Sequence, residues 1–454
     1  MKSNKSIGGN SFLLEESIFK LLVRYSVPAI IGMLVSALYN VVDRMFIGNI
    51  KDVGAIAITG IGVTLPFATI IIAFSMLLGV GSAANISIKL GKGKIQNAEL
   101  IIGNTLVISF ILGAILTVVG LIFCDEILTA FGASGESIVY AKEYMHIILW
   151  GNIFNIAGYA LNGTIRTDGS PKISALIMIF SCLLNFVLDP LLIFKFNLGI
   201  KGAAYATVLS QLLTLALSLV YYLSNHSNMK IRKKNLRLNF KIVKIIIAIG
   251  VSPFIMQLIT CLVQIINNNV LKSYGGDYAI GAMATVNGIF MLCLMPIFGI
   301  TQGAQPIIGY NYGARNYDRV KEALNKSKIL ALVLLSMAYL VIQIFPQSII
   351  RTFSSDENIL GIAVNGLRLY TMFMPAIAVG MVGTQFFQAI GRAKIALILS
   401  LLRQVIFLIP LIAILTRVMG LSGVWIAQSI ADLLAAIVIM YFVKKETDGF
   451  PENK

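Results

Sequence analysis

Long apolar runs alternate with short polar segments along almost the whole chain. Twelve of these runs are long enough to cross a hydrocarbon core of roughly 30 Å, because an α-helix rises about 1.5 Å per residue. Runs of this length predict transmembrane helices and leave no room for a large soluble domain. They cover residues 18–47, 54–80, 97–123, 138–162, 172–194, 199–223, 241–270, 278–305, 325–347, 359–387, 394–416 and 420–443.

The composition and the charge pattern agree with a membrane protein. The chain has 454 residues, of which 57% are hydrophobic and 12% charged, and this is about half the charged fraction of a soluble domain. The net charge of +16 comes from Lys and Arg concentrated in alternate loops, most densely in residues 230–244. This asymmetry predicts a multi-pass protein of the inner (plasma) membrane with both termini in the cytoplasm. The basic loops lack interleaved aromatic residues, so we expect contact with membrane lipid and no nucleic-acid binding.

The second half of the chain repeats the first at a period of about 220 residues. Residues 82–98 and 304–320 each place a Gly-centred basic loop after an even-numbered run, and Pro28 matches Pro253. Two six-helix repeats related by an axis along the membrane normal are typical of transporters. The pattern predicts an all-α integral membrane fold of twelve transmembrane helices, with an N-lobe at 1–225, a basic cytoplasmic linker at 226–244 and a C-lobe at 245–454.

Two aspartates inside apolar runs of the first half are the candidate ion-coupling residues. A carboxylate in a membrane helix costs on the order of 3 kcal/mol on insertion scales. In the repeat, Asp189 falls against Leu411 and Asp43 against Asn268, so both acids are confined to one half. Shared architecture cannot explain this difference, and we expect Asp43 and Asp189 to bind the coupling ion. An alternative for Asp43 is an interfacial turn with Arg44.

Other polar side chains fall at the level of these acids when residues are counted from the helix ends. Tyr39 lies one turn from Asp43, Asn185 lies one turn from Asp189, and Thr207 in the sixth run has a similar depth. A polar pocket of these five residues is geometrically allowed. Tyr39, Asn185 and Thr207 also suit helix packing or interhelical hydrogen bonds. The oxygen-rich set suits either H⁺ or Na⁺. Na⁺ would be held by Asp43, Asn185, Asp189 and Thr207. We expect no other metal and no cofactor.

Four further features bear on function. Asn155 and Asn162 in the fourth run are candidates for the substrate cavity. Pro28 gives the first helix a natural kink point and is the candidate hinge. Asp432 in the twelfth run has a potential partner in Arg403 at a similar depth, so we favour a structural ion pair there.

Two segments resemble the signatures of the MATE family, the multidrug and toxic compound extrusion transporters. Residues 165–194 read IRTDGSPKISALIMIFSCLLNFVLDPLLIF, and residues 303–323 read GAQPIIGYNYGARNYDRVKEA. The resemblance covers nearly the whole chain and is greatest with the DinF-like, MepA-like bacterial branch. That branch carries its coupling carboxylates in the N-terminal lobe, which matches Asp43 and Asp189. The NorM-like branch keeps them in spans seven and ten and fits poorly, because Asn268 occupies span seven.

The resemblance implies a V-shaped antiporter with pseudo-two-fold symmetry. It would export amphipathic, often cationic drugs and other toxic compounds by alternating access, in exchange for H⁺ or Na⁺, and so confer antibiotic resistance. Tyr39, Asn185 and Thr207 match positions of the polar network in the N-lobe of that branch. We expect a monomer that is a secondary active transporter and not an enzyme.

Four other classes of membrane protein compete with this interpretation. A channel is possible on composition, but it does not explain the repeat or the confinement of both acids to one half. A flippase of the same superfamily that moves lipid-linked sugars commonly lines its cavity with several cations, whereas mid-span cations here reduce to Arg403 and Arg368. An intramembrane aspartyl protease needs two acids that share a proton, but the chain has VLDP in place of a GxGD motif. A primary pump is disfavoured because no GxxxxGK[ST] phosphate loop is present.

Overall fold

The computed structural model describes residues 11–50, 54–131, 137–353 and 357–451, and the regular secondary structure of these ranges is helical, with no strand among them. The helices are α1 (Phe12–Glu15), α2 (Ile18–Gly48), α3 (Gly54–Gly91), α4 (Ile95–Ile122), α5 (Cys124–Ala130), α6 (Ser137–Thr167), α7 (Pro171–Pro190), α8 (Ile200–Leu223), α9 (Phe240–Gly313), α10 (Tyr317–Ile344), α11 (Pro346–Arg351), α12 (Glu357–Tyr370), α13 (Met374–Ala389), α14 (Ala393–Leu401), α15 (Ile409–Met419) and α16 (Leu421–Asp448).

Ten helical segments within these ranges are long and apolar enough to cross a membrane, and the bent pair α12 and α13 makes an eleventh. Helix α9 supplies two of them, because its backbone breaks at Gly276, where φ is +63°. Helix α6 is the twelfth long helix, and its polar side chains lower its mean hydropathy. The predicted all-α membrane fold is therefore confirmed.

Several helices extend beyond the apolar runs that predicted them. Helix α3 ends at Gly91, whereas its apolar run ends near residue 80. The extra turns keep their polar groups paired, since Ser87 Oγ donates to the Ala83 carbonyl at 2.8 Å and Ser82 shares a 2.6 Å hydrogen bond with Thr105. Hydropathy alone misses these turns because their side chains are polar although they lie buried between helices.

The helices form two compact units. The first contains Ile31–Gln257 together with the N-terminal segment up to Glu16, and the second contains Ser17–Ile30 together with Leu258–Lys454. In the first unit α6 is central and packs against α3, α4, α7 and α8. In the second unit α16 has this position, in contact with α12, α13 and α15.

The fifth helix of each repeat is distorted in a similar way. A π-helical turn, Leu191–Lys195, follows Pro190, and a longer π-helical segment, Leu402–Leu408, precedes Pro410. Proline has no N–H and its ring crowds the preceding turn. The backbone hydrogen bonds of the helix are therefore rearranged locally into a π-helical turn. The next helix then begins at a glycine of positive φ, Gly199 at +54° and Gly420 at +57°. The two units thus have the same backbone distortion in this helix. Only the first unit has an aspartate, Asp189, beside it.

Candidate functional site

Four helices of the first unit bring six polar side chains together. All five residues of the predicted pocket are present, and Tyr144 joins them from α6. The set is Tyr39 and Asp43 from α2, Tyr144 from α6, Asn185 and Asp189 from α7, and Thr207 from α8.

The two carboxyl groups lie within hydrogen-bonding range of each other. Asp189 is fully buried and Asp43 is half-buried. A hydrogen bond between two carboxyl groups requires a proton on one of them, because two carboxylates offer acceptors only. Asp43 Oδ1 and Asp189 Oδ1 have no hydrogen-bond partner among the described residues. These two oxygen atoms are available to a bound proton or cation.

Asn185 connects this pair to α8. With its amide nitrogen toward Asp189, it donates to Asp189 Oδ2 at 2.7 Å, and its oxygen accepts from the Thr207 backbone N–H at 3.1 Å. The opposite orientation would turn an amide oxygen toward a carboxyl oxygen and is electrostatically unfavourable. Asn185 itself is buried. It fixes the Asp189 side chain relative to α8.

Two tyrosines meet at Thr207. The side chains of Tyr39 and Tyr144 each make a hydrogen bond with the Thr207 side chain. Both phenol groups also lie within electrostatic range of Asp43 and Asp189. Tyr144 is not among the residues predicted from the sequence. Its position near the start of α6 could have indicated this role. Successive membrane helices run in opposite directions, so the start of α6 is expected at the same depth as Asp43.

The donor set suits a proton or a hard monovalent cation. Carboxyl, hydroxyl and amide oxygens are ligands that hard cations prefer. No group of three or more His, Cys, Asp or Glu side chains suited to a metal ion occurs in the part of the chain that the structure describes. The two unpartnered Oδ1 atoms are available to Na⁺, while the Asn185 oxygen is occupied by the Thr207 N–H.

The remaining predicted residues lie apart from this cluster. Asn155 is half-buried on α6, about three turns from Tyr144. Asn162, further along α6, donates to the Ser174 carbonyl at 2.9 Å and accepts from Ser174 Oγ at 2.8 Å. These bonds join α6 to α7. Pro28 lies inside the continuous helix α2, two residues before the point where that helix passes from the second unit to the first.

A second buried polar group lies at the end of α6, outside the membrane-spanning helices. Asp168 Oδ2 accepts from the Tyr221 hydroxyl at 2.6 Å, from Ser227 Oγ at 2.8 Å and from the Asn228 N–H at 3.0 Å. Burial raises the pKa of Asp168 to about 6, while these three donors oppose the rise. This contact, which was not predicted from the sequence, attaches the segment after α8 to the end of α6.

The predicted ion pair is present in the second unit. Arg403 Nη1 donates to Asp432 Oδ1 at 3.1 Å, and Gln428 Nε2 donates to Asp432 Oδ2 at 3.1 Å. Asp432 is buried, with 2% of its surface exposed. The cluster carries one positive and one negative charge, in contrast to the two acids of the first unit.

Comparison with known proteins identifies the family. The MatE family model matches residues 28–191 and 253–414, and the chain belongs to that family. It is a secondary transporter of the cell membrane and not an enzyme. Among its relatives is the multidrug export protein MepA of Staphylococcus haemolyticus, 28% identical with 94% of each chain covered. MepA of a Staphylococcus aureus strain is 29% identical, with 94% of this chain and 93% of the relative covered.

A solved structure described as the outward-facing conformation of a multidrug resistance MATE family transporter of the MOP superfamily also matches. It is 27% identical, has a TM-score of 0.91, and covers the whole of both chains. The similarity includes both six-helix repeats.

Proposed function

We propose that the protein is a proton-coupled antiporter that exports amphipathic, often cationic drugs and toxic compounds. The observation that carries the proposal is the contact between the Asp43 and Asp189 carboxyl groups in the first unit. The relatives named as multidrug export proteins supply the substrate class. Both termini lie in the cytoplasm, the protein acts as a monomer, and residues 1–225 and 245–454 form the two lobes.

The carboxyl pair favours H⁺ over Na⁺ as the coupling ion. A shared proton satisfies both acids in the geometry that the side chains adopt, whereas Na⁺ would need the two carboxyl groups to separate around it. Two carboxylates about 4 Å apart repel by about 4 kcal/mol at an effective dielectric constant near 20. The pair therefore takes a proton from the side of the membrane where protons are abundant and releases it on the other side.

Competition between proton and drug provides the exchange. When the pair loses its proton, it gains negative charge that attracts a cationic substrate, and when it binds a proton again, that attraction falls. Linkage requires the reverse effect as well, so bound drug weakens proton binding by the same factor. Tyr39, Tyr144, Asn185 and Thr207 hold the two acids in position, and Asn155 and Asn162 border the route of the substrate.

Pro28 is the hinge in this scheme. A proline inside a transmembrane helix removes one backbone hydrogen bond and permits bending. The change of unit two residues further along α2 supports this role. Bending at Pro28 would expose the pair alternately to the two sides of the membrane.

The test is efflux of a cationic dye from proteoliposomes. A pH gradient alone should drive export, and a Na⁺ gradient at equal pH should not. Export under the Na⁺ gradient only would assign the unpartnered Oδ1 atoms to Na⁺. Export under neither gradient would contradict the proposal.

A further inference from the structure

The basic linker, residues 226–244, is folded onto the first unit. Besides the contact at the end of α6 described above, two buried side chains of α4 bind its backbone. The Lys230 N–H donates to Glu99 Oε1 at 3.1 Å, and the Asn239 N–H donates to Asn104 Oδ1 at 2.7 Å. Glu99 has 6% of its surface exposed and Asn104 has none. The linker backbone is therefore held in one position by groups that belong to the core.

A single 3₁₀ turn in the middle of the linker separates an inner side from an outer side. The turn, Lys233–Leu236, packs against α4. Asn235 is buried there, and a Cβ added to Gly103 would overlap the Asn235 carbonyl. Lys233 and Lys234 are both exposed. The turn thus places an asparagine against the protein and two ammonium groups on the surface.

The linker carries positive charge that the protein does not balance. It contains seven Lys and Arg residues and no acidic residue. Arg232 pairs with Glu99, at 3.5 Å between Nε and Oε2. Five other basic residues are exposed and form no ion pair with any acid in the ranges that the structure describes: Lys233, Lys234, Arg237, Lys241 and Lys244. They form a fixed array of cations on the surface of the first unit.

The position of this array relative to the membrane favours lipid over a soluble polyanion. The linker connects α8, which ends at Leu223, to α9, which begins at Phe240, and both helices are long and apolar enough to span a membrane at these ends. The linker therefore lies at the level of the headgroups. Leu223 is 73% exposed and Phe240 is 79% exposed. Large apolar side chains at this level insert at the boundary between headgroups and acyl chains.

We propose that the basic linker is a binding site for anionic phospholipids of the leaflet that it faces. The headgroup phosphate accepts hydrogen bonds from the exposed Lys and Arg side chains, and the acyl chains lie along Leu223 and Phe240. Clusters of four to eight Lys and Arg residues beside a membrane helix are typical of anionic lipid recognition. A flexible basic loop must be ordered when it binds, whereas this backbone is already fixed by Glu99 and Asn104. The site should therefore hold individual lipid molecules selectively.

Native mass spectrometry of the purified full-length protein in detergent tests the proposal. It gives the dissociation constants of phosphatidylglycerol and of phosphatidylcholine with identical acyl chains, and their ratio is the preference for the anionic lipid. Each Lys or Arg near an anionic surface changes binding about fivefold. A variant without four of the exposed cations should therefore lose at least about tenfold of the preference. It keeps Arg232 and the backbone contacts of the linker, and its changes are Lys233→Gln, Lys234→Gln, Arg237→Gln and Lys241→Gln.

A matched control removes the same charge from the second unit. Its changes are Lys321→Gln, Lys328→Gln, Lys394→Gln and Lys444→Gln, and it should keep the wild-type preference. An equal loss in both variants would mean that net charge attracts the lipid and would overturn the proposal, as would an unchanged preference in the linker variant.

Two further measurements cover the remaining outcomes. If the fourfold linker variant does not fold, Lys234→Gln and Arg237→Gln alone should each lower the preference, by up to about fivefold. A wild-type preference in both would contradict the site. Glycerol phosphate, which has a phosphate ester and no acyl chains, should not displace phosphatidylglycerol at equal concentration. Displacement would show that the array binds a free phosphate ester, and the assignment to lipid would be wrong.

Discussion

Replacing Asp189 with Asn separates proton coupling from folding. The asparagine is almost isosteric with the aspartate, its oxygen can accept from Asn185, and its amide nitrogen can donate to Asp43. Each contact of the wild-type side chain thus has a counterpart in the variant. We expect the variant to express and to unfold within a few degrees of the wild-type Tm, because no buried group loses its partner.

The energetic change is electrostatic. In the wild type, removing the last shared proton creates two adjacent carboxylates and costs about 4 kcal/mol at 4 Å and an effective dielectric constant of 20. In the variant Asp43 ionises beside a neutral amide that donates to it, so this cost disappears. A difference of 1.4 kcal/mol corresponds to a factor of ten in an equilibrium constant. Losing about 4 kcal/mol should therefore remove the pH-dependent exchange of proton and drug almost completely.

Dye efflux from proteoliposomes under an imposed pH gradient is the assay. The variant should transport at less than about a tenth of the wild-type rate. A tenfold loss corresponds to about 1.4 kcal/mol, which is less than the calculated repulsion of about 4 kcal/mol. Binding of the dye to the variant should persist and lose its dependence on pH. Asn185→Asp at the neighbouring position is a useful comparison, because it adds an acid to the same site. Wild-type efflux by Asp189→Asn with an unchanged pH profile would refute the role of the carboxyl pair.

Three further predictions concern other parts of the first unit. Tyr144→Phe removes one hydrogen bond to Thr207, should cost about 1 kcal/mol, and should lower the efflux rate without loss of folded protein on size-exclusion chromatography. Gly250→Ala places a Cβ 1.8 Å from the Leu77 carbonyl, so the Tm should fall, whereas the control Gly361→Ala, with no atom within 4 Å, should leave it unchanged. Asp168→Ala removes the carboxylate that accepts from Tyr221, Ser227 and Asn228, so trypsin should cut the Lys- and Arg-rich segment after α8 faster than in the wild type. Because the pKa of Asp168 rises from 3.8 to about 6, the docked segment is favoured below pH 4 and loses up to about 3 kcal/mol as pH rises through 6. The ratio of the wild-type cleavage rate to the Asp168→Asn cleavage rate should therefore be higher at pH 8 than at pH 5. An equal ratio at the two pH values would contradict this reasoning.

The fold and part of the candidate site were predictable because membrane insertion imposes strong constraints. Hydrocarbon requires long apolar helices, so twelve runs sufficed to predict the helical architecture. The same constraint makes a mid-membrane acid costly, and this drew attention to Asp189 and Asp43. The depth count then grouped Tyr39, Asn185 and Thr207 with them, and the structure brings these side chains together.

The residues that escaped prediction have ordinary sequence signals. Tyr144 lies near the start of α6, where several polar side chains occur, and a tyrosine near a membrane interface has no unusual cost. Asp168 follows α6 in a polar turn, where an acid is common in soluble and membrane proteins alike. Its importance arises from three donors supplied by α8 and the segment after it. Such contacts depend on tertiary packing and not on local pattern.

The two units use one backbone design for two electrostatic tasks. Gly199 and Gly420 adopt nearly the same positive φ, and a π-helical distortion precedes each of them. In the first unit the distortion follows a pair of acids whose total charge changes with one proton. In the second it carries Arg403, whose charge is fixed at any physiological pH and is balanced by Asp432. A titrating site can couple to a proton gradient, whereas a site of constant charge cannot. The coupling proposed for the first unit therefore depends on acids that the second repeat lacks.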